Sequence, residues 1–447
     1  MGVSIAQGRN FAVPSALIIL DGLADRPKVA PNGATPLESA RTPNLDRLAS
    51  SGALGEVIVI GPSIAPESDA GVLALLGYDP IRDSPGRGVL EAWGVEAPLV
   101  AGDIALRLNF ASGDGEGRIL DSRVGRALTT KEASALALGL TGANLLGPEG
   151  IRAEVRATVG HRGILWLHPV EGGPLSPAIS NPDPFYEKVG GMGTSRSGLE
   201  SPTVRPCTPT DTSAEAARTA RAVDLFLTRA RGILAGHSIN ARRAMSGKKL
   251  ANELLVRGAG TLPPTPPPPF SEKYGAAGAA ITEMPVERGI AHLLGLEDLY
   301  VGPLAPDAEA GYRSRALSTR QALERFPFVY VHLKGPDEPG HDGDSEAKRV
   351  VIESIDRWFF GPFLEGLDLS KVRIAITADH ATPCVLRGHS ADPVPLLLAG
   401  VRIRREGDKE ASPAKFGESE AARGELGRKT GKDVLGLLSV PRPTVAP

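Results

Sequence analysis

The chain has 447 residues, of which 41% are hydrophobic and 23% charged, and its formal net charge is −2. This composition is that of an ordinary soluble globular protein, and it lacks the basic excess that a nucleic-acid-binding surface needs. The length exceeds what one compact core usually holds, which predicts two domains or one large domain carrying an insertion.

The N-terminal apolar run and the two cysteines bear on the compartment. The run "FAVPSALIIL" is interrupted by Pro14 and is too short to cross a bilayer, so it predicts a buried strand. Cys207 and Cys384 lie far apart in the sequence and do not form a disulfide framework. We therefore expect a cytoplasmic protein with no membrane or nucleic-acid partner.

Apolar runs alternate with amphipathic helical patterns along the chain. Continuous apolar runs are typical of strands buried on both faces of a sheet. We expect such strands at 15–22, 55–62, 325–335, 371–380 and 394–400, and helices at 42–52, 286–296 and 346–367. The alternation predicts an α/β fold, a mostly parallel sheet flanked by helices.

The middle of the chain has a different pattern. "GDIALRLNFAS" (102–112) alternates apolar and polar residues, which predicts a half-exposed strand, and 130–140 predicts a helix. We expect a smaller α+β domain inserted at 96–190. The main domain would then be discontinuous, formed by 1–95 and 191–447.

Polar side chains follow the predicted strands of the main domain. They are Asp21, Asp337, His341, Asp379, His380 and His389. Because ligands bind at the carboxyl ends of strands in such sheets, we expect these side chains to meet. Imidazole and carboxylate are ligands of divalent transition metals, and pairs of such ions serve phosphoryl transfer. A structural hydrogen bond explains any one histidine; the whole set together predicts a metal site.

Ser68 precedes an apolar helix pattern in "PESDAGVLALLG". A helix N-cap alone explains a serine at this position. A serine at a helix N-terminus also suits a phosphate, and beside a metal it can attack phosphorus. The sequence leaves both interpretations open.

A family resemblance rests on "LDGLAD", "TPNLDRLASSG", "PESDAG", "SEKYG", "HLKGPDEPGHDGD" and "TADHATPCVLRGHS", in this order between about residues 15 and 400. The chain resembles the archaeal-type phosphoglycerate mutases that need no bisphosphoglycerate, within the alkaline phosphatase superfamily. The resemblance implies an alkaline phosphatase-like core and an isomerase of glycolysis and gluconeogenesis. It would interconvert 3-phosphoglycerate and 2-phosphoglycerate through a phosphoserine, with two divalent ions (Mn, Mg, Co or Zn) and no bisphosphoglycerate.

The resemblance also assigns residue roles. One ion would be held by Asp21, Ser68, Asp379 and His380, and the other by Asp337, His341 and His389. Ser68 would carry the phosphoryl group, and Lys273 would neutralise that group in transit. The inserted domain would bind the substrate and act as a lid that excludes water.

The substrate carries a carboxylate and a phosphate, both of which guanidinium forks bind bidentately. The candidates for this role are Arg123, Arg126 and Arg257, with Asp121 to orient an arginine or act on the glycerate hydroxyls. A phosphomonoester hydrolase or small-alcohol phosphotransferase on the same metal site, and a non-catalytic protein with an inherited fold, are the alternatives. Whether the chain forms a homo-oligomer stays open.

Overall fold

The computed structural model describes residues 9–27, 33–141, 150–189, 192–196, 199–304, 307–400 and 415–441. The strands, in chain order, are β1 (Arg9–Asn10), β2 (Ser15–Leu20), β3 (Ala53–Ile58), β4 (Ile104–Gly113), β5 (Ile119–Asp121), β6 (Ile151–Ala157), β7 (Arg162–Pro169), β8 (Tyr186–Val189), β9 (Met192–Ser195), β10 (Glu253–Gly260), β11 (Gly278–Thr282), β12 (Glu297–Tyr300), β13 (Phe328–Leu333), β14 (Arg373–Thr377), β15 (Val394–Gly400), β16 (Gly427–Thr430) and β17 (Val440–Pro441).

The helices are α1 (Pro36–Ser39), α2 (Pro43–Ser51), α3 (Ser68–Leu75), α4 (Arg87–Gly94), α5 (Thr130–Thr141), α6 (Ala214–Ala235), α7 (Ser238–Met245), α8 (Phe270–Tyr274), α9 (Pro285–Leu294), α10 (Ala308–Arg325), α11 (Asp337–Asp342), α12 (Ser345–Ile355), α13 (Gly361–Leu364), α14 (Glu418–Ala422) and α15 (Gly431–Leu438). A 3₁₀ turn spans Val124–Arg126, and a π turn at Asp356–Phe360 joins α12 to α13. Within the described ranges, no helix is both long enough and apolar enough to span a bilayer.

The first of two compact units comprises residues 1–83, 267–283 and 290–447. Its eight-stranded sheet has the order β12-β11-β13-β2-β14-β15-β3-β16. Neighbouring strands run parallel except where β15 pairs antiparallel with β14 and with β3. The predicted α/β fold with a mostly parallel sheet is confirmed.

The central position of β2 determines where the loops leave the sheet. β2 lies between β13 and β14, with Leu20 paired to Leu333 and Ile19 paired to Thr377. All six β2 residues are fully buried, and burying each leucine or isoleucine side chain contributes about 1.5–3 kcal/mol. Because the three strands are parallel and end at nearly the same level, their following loops emerge at one edge of the sheet.

The second unit comprises residues 84–266 and 284–289. Its sheet is antiparallel, in the order β10-β4-β7-β6, with β5 pairing to β4. The expected insertion, 96–190, lies inside this unit. The unit includes more residues than expected on both sides of that range, because α4 packs on β4 and β10 adds a strand beside β4.

β4 is buried along almost its whole length, so the prediction of a half-exposed strand was wrong. Leu106, Leu108 and Phe110 join the apolar cluster that also contains side chains of α5 and α6. Ala105, on the opposite face, packs against Val89 of α4. The two faces of β4 are therefore both covered, which sequence alternation alone does not reveal.

Candidate metal centre

Two groups of metal-ligating side chains lie at the carboxyl edge of the first unit's sheet. One consists of Asp21, Asp379 and His380, and the other of Asp337, His341 and His389. Within each group, the ligating atoms lie within 4.8 Å of one another. The six side chains expected to meet at strand ends are thus close together in these two groups.

The first group is deeply buried. His380 Nε2 lies 3.4 Å from Asp21 Oδ1 and 3.4 Å from Asp379 Oδ2. Asp379 Oδ1 accepts hydrogen bonds from the N–H groups of Gly22 and His380, which fixes the carboxylate. Lys334, at the end of β13, places its Nζ 3.1 Å from Asp21 Oδ2.

Ser68 lies against this first group. It is the first residue of α3, whose N-cap is Glu67, so the N-cap interpretation of Ser68 was wrong by one position. Its Oγ lies 3.3 Å from His380 Nε2. Gly71 permits this approach, because a Cβ there would stand 2.3 Å from the carbonyl oxygen of Asp379.

The second group is centred on Asp337, at the start of α11. Its Oδ2 lies 3.5 Å from His341 Nε2, and its Oδ1 lies 3.5 Å from His389 Nε2. The spacing of Asp337 and His341, one helical turn apart, puts both on one face of α11. The rings of His389 and His380 stack with centroids 3.7 Å apart, so the two groups adjoin.

Each of the three histidines of these groups makes a hydrogen bond through its Nδ1 atom. His341 Nδ1 contacts the carbonyl oxygen of Arg387 at 3.2 Å, and His389 Nδ1 contacts that of Pro66 at 2.8 Å. A carbonyl oxygen only accepts, so each Nδ1 must carry the proton. His380 Nδ1 contacts the hydroxyl of Thr382 at 3.1 Å. The Nε2 atoms of the three rings then face carboxylates, an arrangement that a cation between them stabilises.

Charge and hydrogen bonding in the first group also fit a cation. Burial alone would raise the pKa of Asp21, but Lys334 and His380 outweigh it and hold that pKa well below its usual range. Burial alone would lower the pKa of His380, but Asp379 and Asp21 raise it above the ordinary value. Asp21 Oδ1 and Asp379 Oδ2 are buried and accept no hydrogen bond from any residue the structure describes. These oxygens are available to ligate a divalent ion, whose preferred donors they are.

Asp337 is ionised for related reasons. Burial alone would raise its pKa, but His341 and His389 lower it well below the ordinary value. Thr382 also donates its hydroxyl to Asp337 Oδ1 at 2.7 Å. The second group therefore presents a carboxylate and two imidazole nitrogens to the same space.

Lys273 lies elsewhere in the first unit. Its Nζ donates to the carbonyl oxygen of Gly77, just beyond the C-terminus of α3, and lies 3.7 Å from the ring centre of Tyr78. A cation is favoured there by the negative end of the helix dipole. Ser68 is at the other end of α3, roughly 13 Å away along the axis. The structure therefore does not bring Lys273 together with Ser68, and its assigned role stays a prediction.

The second unit gathers arginines. The Arg257 guanidinium is buried, pairs with Asp183 at 3.0 Å and stacks over the Tyr186 ring at 3.6 Å. Arg107 pairs with Glu91 at 2.8 Å, and burial, then the charge of Arg87, lowers the pKa of Arg107 to about 9. Arginines exceed carboxylates in this cluster, so it favours an anion.

The loop around Asp121 belongs to the same unit. Asp121 Oδ1 accepts the N–H groups of Arg123 and Gly125 at 2.9 Å each, while Oδ2 pairs with Lys249. Its observed role is therefore to shape the loop that carries Arg123 and Arg126. Burial, then Arg162, Arg123, Arg107 and Arg126, lowers the pKa of His161 to about 2. The two loop arginines thus lie near a neutral histidine.

Two residues of these sites, Arg107 and Thr382, were not predicted. Arg107 was recognisable as a charged residue inside an alternating apolar strand, the kind of local inconsistency that marks functional sites. Thr382 gave no signal, because its role depends on contacts with distant residues.

A serine at a helix start beside paired carboxylate and imidazole groups is typical of enzymes that transfer phosphoryl groups. Residues 49–240 match a family model described as 2,3-bisphosphoglycerate-independent phosphoglycerate mutase. A protein of that name from Aeropyrum pernix is 44% identical, covering 92% of this chain and 95% of its own length. One from Methanopyrus kandleri is 37% identical over 94% of each chain.

Solved structures agree. A Pyrococcus horikoshii protein is similar with a TM-score of 0.72 and 32% identity, covering 95% of this chain and 96% of the other. A cofactor-independent phosphoglycerate mutase from Thermoplasma acidophilum gives a TM-score of 0.56 and 31% identity, over 95% and 98%. The chain belongs to the 2,3-bisphosphoglycerate-independent phosphoglycerate mutase family, a family of isomerases, which confirms the resemblance seen in the sequence.

Proposed function

We propose that this enzyme interconverts 3-phosphoglycerate and 2-phosphoglycerate, with Ser68 carrying the phosphoryl group between the two transfers. The observation that carries the proposal is the position of Ser68 Oγ, 3.3 Å from His380 Nε2 and beside the carboxylates of the first group. The N–H groups at the start of α3 favour a phosphate at the same point.

The reaction consists of two phosphoryl transfers, and neither of them consumes water. Ser68 Oγ forms a bond to phosphorus as the bond from phosphorus to the C3 oxygen of glycerate breaks, and the serine proton ends on that oxygen. In the second transfer, the C2 oxygen takes the phosphoryl group and Ser68 recovers a proton. Water would hydrolyse the phosphoserine, so it must be excluded in between. The lid role expected for the inserted domain would meet this requirement and stays a prediction.

Two divalent ions fit the donors available. Asp21, Ser68, Asp379 and His380 would hold one ion, and Asp337, His341 and His389 would hold the other. When bound, the ions would supply positive charge that stabilises the transferring phosphoryl group and the serine oxygen. The choice among Mn, Mg, Co and Zn stays open, and the family resemblance implies no bisphosphoglycerate.

We assign substrate binding to Arg123, Arg126 and Arg257. One support is the cluster of guanidinium groups in the second unit, whose positive charges favour a bound anion. A second is that the nearby arginines keep His161 neutral, as expected where positive charge is already concentrated. Asp183 already pairs with one nitrogen of Arg257, which fixes the plane of its guanidinium. Asp121 would act indirectly, through the loop it shapes.

The serine variant tests the proposal. Ser68→Ala should lower formation of 2-phosphoglycerate from 3-phosphoglycerate by at least about a thousandfold. The fold should be preserved and the Mn content nearly intact, because Asp21, Asp379 and His380 remain to hold the ion. Ser51→Ala is the matched control, because its exposed hydroxyl bonds the preceding turn of α2. Residual mutase activity within tenfold of the parent would refute the phosphoserine route. Release of inorganic phosphate by the parent instead of 2-phosphoglycerate would identify a hydrolase.

A further inference from the structure

The Thr382 hydroxyl contacts one residue of each candidate cation group. The residue is fully buried, two positions after His380. Its Oγ donates to Asp337 Oδ1 at 2.7 Å, because an ionised carboxylate only accepts. The oxygen then accepts from His380 Nδ1 at 3.1 Å. One hydroxyl therefore orients a carboxylate of the second group and fixes the protonated nitrogen of a histidine in the first.

We propose that Thr382 is a positioning residue that sets both candidate cation sites at once. The proposal rests on the proposed function, since it concerns the same site. By accepting the hydrogen bond from Nδ1, Thr382 fixes the ring of His380 so that Nε2 is directed at Asp21 and Asp379. By donating to Oδ1 of Asp337, it also fixes the carboxylate that His341 and His389 face.

The main chain of Thr382 is held as firmly as its hydroxyl. Its N–H donates to the carbonyl oxygen of Ala24 at 3.1 Å, and its carbonyl accepts from Lys348 Nζ at 2.9 Å. Lys348 is fully buried and also donates to Ala24 at 3.2 Å and to Asp25 Oδ2 at 3.0 Å. One ammonium group thus ties the loop after β2 to the loop after β14.

Close packing leaves the Thr382 side chain little freedom. Gly22 has φ +61°, and a Cβ there would stand 2.6 Å from Thr382 Oγ and 2.8 Å from Asp337 Oδ1. A Cβ on Gly340 would stand 2.9 Å from the Thr382 methyl carbon. The hydroxyl and the methyl group therefore each lie where a side chain on Gly22 or Gly340 would collide with them, so both glycines are needed for this placement of Thr382.

The test compares Thr382→Val, which keeps the shape and removes the hydroxyl, with Thr382→Ser, which keeps the hydroxyl. Binding of Mn²⁺ to each purified, metal-stripped protein is measured by calorimetry and by the electron paramagnetic resonance signal of free Mn²⁺. We expect T382V to weaken both sites by about 10–100-fold, as loss of a residue that orients metal ligands does elsewhere. T382S should stay within about fivefold of the parent.

Three results would overturn the inference. T382V could bind both ions as tightly as the parent, it could weaken one site alone, or T382S could weaken binding as much as T382V. The last result would assign the effect to methyl packing. The melting temperature of each metal-stripped variant separates the roles, because a merely structural threonine lowers it without changing affinity. If T382V fails to fold, Thr382→Ala replaces it in the same comparison.

The parent titration separates this inference from the proposed function. A parent protein that binds no Mn²⁺ overturns both. A parent that binds two ions while T382V binds them equally well overturns the positioning role alone and leaves the mutase proposal standing.

Discussion

Replacing Gly71 by alanine should reduce activity far more than stability. Gly71 lies one turn after Ser68, on the side of α3 that meets Asp379. The new Cβ would stand 2.3 Å from the Asp379 carbonyl oxygen, whereas ordinary contacts begin near 3.4 Å. The start of α3 must therefore move by about 1 Å, and a misplacement of that size lowers a rate about a hundredfold.

The stability change should be small, because two effects oppose each other. Overpacking costs about 1–3 kcal/mol, and replacing glycine in a helix offsets about 1 kcal/mol of it. The assay is kcat for 2-phosphoglycerate formation, set beside the free energy of unfolding in urea. Gly232→Ala is the matched control: a Cβ on this exposed glycine of α6 would meet no atom within 4 Å, so kcat should not change. A G71A enzyme with kcat within threefold of the parent would contradict the reasoning.

Two further predictions concern a histidine in each unit. His161→Asn should reduce the acid sensitivity of folding: the native pKa is about 2 against an ordinary 6.5, so the unfolded chain binds more protons as pH falls below 6.5. Between pH 7.5 and 5.0, the parent should lose about 2 kcal/mol more unfolding free energy in urea than H161N, and equal losses would refute this. His341→Ala should reduce bound Mn from two ions to one and lower kcat at least about a hundredfold. Parent activity that survives exhaustive chelation would contradict the metal assignment.

The meeting of Asp21, Asp337 and Asp379 was predictable from the sequence. Each follows a continuous apolar run, and such runs indicate buried parallel strands whose carboxyl ends share an edge. The structure adds that β2 lies between β13 and β14, so the three carboxylates come from adjacent strands. Strand order is set by long-range pairing, which apolar patterns do not encode.

Side-chain direction was less predictable. Lys273 belongs to a recognisable motif, yet its ammonium group lies at the C-terminus of α3 because a carbonyl oxygen and the Tyr78 ring stabilise it there. The second buried face of β4 was missed because the strand's own pattern does not report that α4 covers it. Motif spacing therefore predicted which side chains lie close together at the sheet edge more reliably than it predicted the groups that surround them.

The hydrogen bonds that orient the three histidines differ in how they depend on sequence. Two of the Nδ1 acceptors are main-chain carbonyls, of Arg387 and Pro66, and a carbonyl oxygen is present whatever side chain the residue carries. The third acceptor is the hydroxyl of Thr382, which a single substitution removes. A substitution at position 387 or 66 can move an acceptor only by moving the backbone, whereas one at 382 deletes it. Of the three acceptors, the Thr382 hydroxyl is therefore the one at which a conservative change should alter metal affinity while leaving the fold intact.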